Sequence, residues 1–157
     1  MTSDSTSHTF LQRPAWLAVL TRATQPQLEA AYAAHTDLLA GQPLQQVRPP
    51  EVGMLMLRGR VGGTGNAFNL GEATVVRCAV RLGHGPLGVA YTLGRNKRQA
   101  ELAALFDALL QDPLQHDALQ RTLIAPLAQS QAAARARRQQ DVADSKVEFF
   151  TFVRGEA

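Results

Sequence analysis

The chain has 157 residues and is 45% hydrophobic, enough apolar sequence to bury one core, so residues 13–157 are expected to form one domain. Its single cysteine excludes an intrachain disulfide and a cysteine-built metal cluster, and no run of ~20 apolar residues is available for a membrane helix. The net charge of +3 is modest but uneven: from Met54 to Arg98 there are seven basic residues against one acid, Glu72, which calls for an anionic ligand or an acidic partner.

Residues 1–12 begin rich in Ser and Thr, without the charged-then-apolar pattern of a secretory signal, and are expected to be a disordered tail. Trp16, Leu17 and Leu20 share one helical face, and Leu28, Ala31, Tyr32, His35, Leu38 and Leu39 repeat the spacing after a break at Ala23 to Pro26. The pattern predicts a helical hairpin, with Thr24 as an N-cap, Pro26 in the following first turn, and Gly41 and Pro43 closing the second helix. Pro49 and Pro50 then separate helical from extended sequence.

Residues 54–60, 74–82 and 87–93 are short, rich in β-branched or large apolar side chains and bounded by glycine, and are predicted strands. Gly83-His84-Gly85-Pro86 should join the last two as an antiparallel hairpin. In the middle strand Thr74, Val76, Cys78, Val80 and Leu82 fall on one face, and Arg77 and Arg81 on the other. Leu102, Leu105, Phe106 and Leu109 mark the clearest helix, with Asn96 and Gln99 spaced as a capping box. Asp112-Pro113 starts another helix, Pro126 kinks or interrupts it, and the Ala-, Gln- and Arg-rich residues 129–140 should be an exposed helix or arm. Residues 146–154 alternate Val147, Phe149, Thr151 and Val153 with Glu148, Phe150 and Phe152, a strand apolar on both faces that a second surface should cover. The fold class is therefore α+β: an N-terminal helical hairpin, an antiparallel sheet of about four strands, and further C-terminal helices.

The segment Arg58-Gly59-Arg60-Val61-Gly62-Gly63-Thr64-Gly65 leads from a strand into a glycine-rich loop able to turn N–H groups towards an anion. It lacks the Gly-Lys-Ser/Thr of a P-loop and no helix follows it, so neither nucleotide-binding fingerprint applies, and a plain tight turn is the alternative to a phosphate cradle. Arg58, Arg60, Arg77 and Arg81 are spaced in even pairs, which predicts that all four lie on one side of adjacent strands and need counter-charge beyond Glu72. Arg95, Lys97 and Arg98 crown the start of a helix, where cations oppose the macrodipole unless solvated or matched by an anion. His84 and Glu72 have no recognisable catalytic partner, Cys78 falls in the apolar row, and His8, His35 and His116 have no metal-ligand spacing, so no catalytic residue and no metal site is predicted. The N-terminal hairpin is not read as a DNA-binding unit, because residues 25–40 contain Glu29 and Asp37 and no Lys or Arg.

Three blocks carry a resemblance to a known family. The first is Arg58 to Gly65 with Phe68-Asn69-Leu70-Gly71-Glu72-Ala73-Thr74-Val75 and Arg77-Cys78-Ala79-Val80-Arg81; the second is Gly94-Arg95-Asn96-Lys97 with Ala100-Glu101-Leu102-Ala103; the third is residues 146–156. Across residues 13–156 the chain resembles the PhnG family of the phosphonate carbon–phosphorus lyase system. The resemblance implies a cytoplasmic accessory subunit that assists PhnI, with PhnH and PhnL, in displacing adenine from ATP by an alkylphosphonate, giving a ribose 1-alkylphosphonate 5-triphosphate. It also implies stable association with PhnH, PhnI and the radical enzyme PhnJ, no cofactor on this chain alone, ATP as a substrate of the complex, and neither nucleic acid nor membrane as a partner. Arg58, Arg60, Gly62, Gly63, Thr64, Gly65, Arg77, Arg81, Arg95, Lys97 and Arg98 would then serve anion binding or a partner interface, and Phe149, Phe150, Phe152 and Arg154 a partner interface. A purely structural subunit, or a free-standing anion- or DNA-binding protein, are the alternatives.

Overall fold

The computed structural model describes residues 3–39 and 41–144. Two helices come first, α1 (Ser3–Leu20) and α2 (Gln25–Ala34), followed by a 3₁₀ turn at Thr36–Leu39. Helix α1 begins at Ser3, inside the segment whose composition reads as a tail. Pro26 stands in the first turn of α2, and the Thr24 N–H donates to the Gln27 Oε1 at 2.9 Å, closing the helix start from the N3 side. Leu28 and Ala31 are buried at the expected spacing.

Strands β1 (Leu44–Arg60), β2 (Ala67–Leu82) and β3 (Leu87–Leu93) form one antiparallel sheet in the order β1-β2-β3. The α+β class is as expected, with three described strands where about four were predicted; residues 146–154, the remaining predicted strand, lie outside the described residues. Strand β1 starts ten residues earlier than predicted and runs through Pro49 and Pro50. Proline is tolerated there because β1 is an edge among the described strands, and the register shifts around Val47 and around Pro49-Pro50 absorb the missing donors as bulges.

Helices α3 (Lys97–Leu110), α4 (Pro113–Leu119) and α5 (Ala125–Asp144) complete the described residues. A π-helical turn at Gln120–Ile124 links the last two, immediately before Pro126, where the i→i−4 ladder must lose a bond in any case. Helix α3 runs back over β3 and packs on the sheet face that carries Val76, Cys78, Val80 and Leu82. Trp16, Leu20, Leu28, Leu105, Phe106 and Leu110 close the same core from the helical side. Gly88 allows the closest approach: a Cβ there would overlap the Ala104 carbonyl oxygen and sit 2.7 Å from the Ala108 N.

One buried carboxylate ties the layers together. Asp107, on α3 and fully buried, accepts from Arg13 Nη2 at 2.6 Å and Arg13 Nε at 3.1 Å, from Trp16 Nε1 at 2.8 Å, and from the Val89 backbone N–H at 2.9 Å. Arg13 Nη2 and Gln111 Nε2 both donate to the Leu87 carbonyl. Side chains therefore occupy backbone groups on the outer edge of β3, which blunts that edge against strand addition.

Candidate functional site

The feature with most functional content is the far half of the β1–β2 hairpin. Strand β3 pairs with β2 only from Val75 to Arg81, whereas β1 and β2 go on pairing from Met54↔Thr74 out to Arg60↔Ala67. The hairpin thus projects as a two-stranded arm, reaching roughly 20 Å past the end of β3 at the usual strand rise. Its tip is the glycine-rich loop. Gly62 and Gly63 have φ of 59° and 80°, a left-handed conformation that favours glycine, the Gly65 N–H donates to the Val61 carbonyl at 2.8 Å, and Arg60 Nη1 donates to the Gly65 carbonyl at 3.1 Å. Turn geometry accounts for these glycines, and Thr64 is exposed among them.

Register assigns the arm's side chains to faces. From Glu51 to Arg60 the alternation of β1 is unbroken, so Val52, Met54, Met56, Arg58 and Arg60 continue the helix-side face while Glu51, Gly53, Leu55, Leu57 and Gly59 lie on the outer face. Bulged Leu70 of β2 lies over Gly59 on that outer face, beside Phe68. Among the described residues nothing covers either face of the arm: Met54 is 67% exposed and Met56 59% on one side, Leu70 63% and Leu57 48% on the other. Isolated two-stranded ribbons are marginal in water, and the described residues hide neither apolar face of this one.

The four arginines expected on one face are divided between two. Arg77 and Arg81 lie on the outer face of the sheet, and Arg58 and Arg60 on the helix-side face of the arm, with Arg58 seven residues along β1 from the residue opposite Arg77. Even spacing fixes each pair on one face of its own strand, but the bulges and the hairpin loop set the register between strands. That opposite residue is Glu51, whose Oε2 is 3.3 Å from Arg77 Nε and 3.7 Å from Arg48 Nε. Glu51 precedes the expected start of β1, and only the longer strand sets it opposite Arg77. Glu72, opposite Met56, is exposed on the helix-side face of the arm.

The basic start of α3 resolves residue by residue. Arg98 donates through Nε and Nη2 to both oxygens of Glu29 on α2, at 2.8 and 3.2 Å, and through Nη1 to Glu101 at 3.0 Å, with its guanidinium 5.3 Å from the Tyr32 ring centre. These carboxylates explain how a cation is accommodated at a helix N-terminus. Asn96 caps the helix by accepting from the Gln99 N–H at 3.0 Å; the Gln99 side chain turns instead to the Ala23 carbonyl, so the capping box is half formed. Arg95 and Lys97 are exposed and, like Arg58 and Arg81, make no ion pair among the described residues. They stand at the base of the arm, where the Gly94 N–H donates to the Thr74 carbonyl at 2.8 Å.

Hydrogen bonds from Arg98 hold the Glu29 carboxyl below its ordinary value of 4.5, and the Arg98 guanidinium is correspondingly raised. A depressed folded-state pKa contributes stability above about pH 4.5 that is lost as pH falls through the folded value. Glu29→Gln should therefore lower the urea midpoint slightly at pH 7, with the difference from the parent shrinking as pH falls below about 4.5; a difference that does not shrink with acid would show that the pair is not its source.

The cysteine and the described histidines stand apart from the arm's tip. Cys78 is buried, and desolvation pushes its thiol up to about 11. His35 Nδ1 lies 2.8 Å from the Ala31 carbonyl oxygen and Nε2 3.1 Å from Thr122 Oγ1, and His116 Nδ1 lies 2.8 Å from the Leu110 carbonyl oxygen. His84 is exposed in its turn. Among the described residues no three His, Cys, Asp or Glu side chains are grouped to hold a metal ion, and no helix is long and apolar enough to cross a membrane. Phe149, Phe150, Phe152 and Arg154 lie outside the described residues.

Comparison with known proteins joins this geometry to a family. Residues 11–155 match the family model described as phosphonate metabolism protein PhnG. A protein of Rhizobium meliloti (strain 1021) named alpha-D-ribose 1-methylphosphonate 5-triphosphate synthase subunit PhnG is 43% identical over 145 residues, which span 92% of this chain and 90% of that relative. On both comparisons the chain belongs to the PhnG family.

Proposed function

We propose that this chain is a non-catalytic subunit of a cytoplasmic synthase assembly in which a PhnI-type subunit, assisted also by PhnH and PhnL, displaces adenine from ATP by an alkylphosphonate to give a ribose 1-alkylphosphonate 5-triphosphate. PhnJ would share the assembly, and the chain would bind no cofactor, nucleic acid or membrane by itself. The relative's name, a synthase subunit, supports an assembly. The observation that carries the proposal is the arm, whose two exposed apolar faces are what a subunit brings to a partner rather than what a free-standing protein presents to water.

Placement of the arginines favours an acidic partner surface over direct capture of ATP phosphates. Arg77 and Arg98 already face carboxylates, and Arg58 and Arg60 lie on the opposite face from Arg77 and Arg81, so the set is not gathered into one cradle for a polyphosphate. Adenine release from ATP and methylphosphonate tests the proposal. The isolated chain should give none, and leaving it out of a mixture of the PhnI-, PhnH- and PhnL-type subunits should reduce turnover to background. Turnover by the isolated chain, or full turnover without it, would overturn the assignment.

A further inference from the structure

We propose that residues 52–74 insert as a tongue into a cleft of a different protein chain, one wall apolar and the other lined with carboxylates. The inference deepens the proposed function and rests on it. A ribbon laid flat on a partner would cover one apolar face and leave the other in water; here Met54 and Met56 on one side are as exposed as Leu57 and Leu70 on the other, so two walls are needed.

The two faces require different walls. Beyond Gly53 the outer face carries Leu55, Leu57, Phe68 and Leu70 and no charge, which suits an apolar wall. The helix-side face adds Arg58 and Arg60 to its two methionines against the single carboxylate of Glu72, with Arg95 and Lys97 at its base, so the facing wall must supply carboxylates. The same charges disfavour a second copy, because a two-fold contact between helix-side faces would set arginine against arginine. Edge chemistry marks where the insertion starts: the half of β1 next to the body is closed to strand addition by Pro49, Pro50 and two bulges, whereas from Glu51 to Arg60 β1 has no proline.

The test uses the full chain and the partner subunits of the proposed assembly, with binding measured by co-purification and titration. Leu57→Asp/Leu70→Asp and Met54→Asp/Met56→Asp change opposite faces at exposed positions. Each should leave the urea midpoint of the isolated chain unchanged and weaken capture by roughly 30-fold or more, as truncation of a hot spot does. Arg58→Glu should weaken capture and flatten its dependence on salt. If only one of the two pairs matters, the arm docks flat and the tongue is wrong; if neither matters, the interface lies elsewhere while the proposed function stands. A dimer of the isolated chain that Leu57→Asp/Leu70→Asp dissociates would make a second copy the occupant and overturn the proposal. Failure of the parent chain to bind the partner subunits at all would instead sink the proposed function itself.

Discussion

Replacing Asp107 with alanine is expected to remove about 3–5 kcal/mol of stability, the usual cost of leaving one member of a buried ion pair without the other. The Asp107 side chain is fully buried, and the Arg13 side chain that faces it is 21% exposed, so the guanidinium left behind has little water to turn to. The loss extends beyond the pair, because the Trp16 indole N–H and the Val89 backbone N–H would both lose their acceptor. Since domains of this size are stable by only ~5–15 kcal/mol, the variant should unfold at a much lower urea concentration than the parent. A double-mutant cycle with Arg13→Ala should show coupling of roughly 0.5–3 kcal/mol. An Asp107→Ala chain within about 1 kcal/mol of the parent would show that this junction does not hold α1 to the sheet.

Gly88→Ala should be nearly as damaging, although it adds one methyl group. The new Cβ would meet the Ala104 carbonyl oxygen, the Ala108 N at 2.7 Å and the Ala108 Cβ at 2.8 Å, and backbone of α3 cannot rotate away as a side chain can. The helix must lift from β3, so the cost should reach or exceed the upper end of the ~1–3 kcal/mol of ordinary overpacking. Gly53→Ala is the control, since a Cβ there meets nothing within 4 Å. Equal urea midpoints for the two variants would contradict the close packing of α3 on β3.

Local chemistry made much of this fold legible in the sequence. Period-two alternation placed Val76, Cys78, Val80 and Leu82 inside and Arg77 and Arg81 outside, and Asn96 and Asp112 cap the helices they were expected to start. What sequence could not reach depends on register and distance along the chain. Pro49 and Pro50 read as a boundary because proline breaks a central strand; they lie within β1 because that strand is an edge among the described strands. Nothing local marks Asp107 between the apolar positions of α3, since its partner Arg13 is 94 residues away. Four arginines read as one face, while pairing between strands divides them. The arm was visible only in fragments: apolar strand ends and a glycine loop were recognisable, but that β3 stops short of them is a fact of topology.

The buried position of Cys78 also gives the subunit a native clock. With one thiol in the chain, held inside the sheet and far from its thiolate form at neutral pH, modification by a disulfide reagent must wait for the core to open. The labelling rate of the unaltered protein therefore follows opening of the β2 region, and its slowing in an assembled complex would register, without any introduced probe, how much partners restrain the fluctuations of this fold.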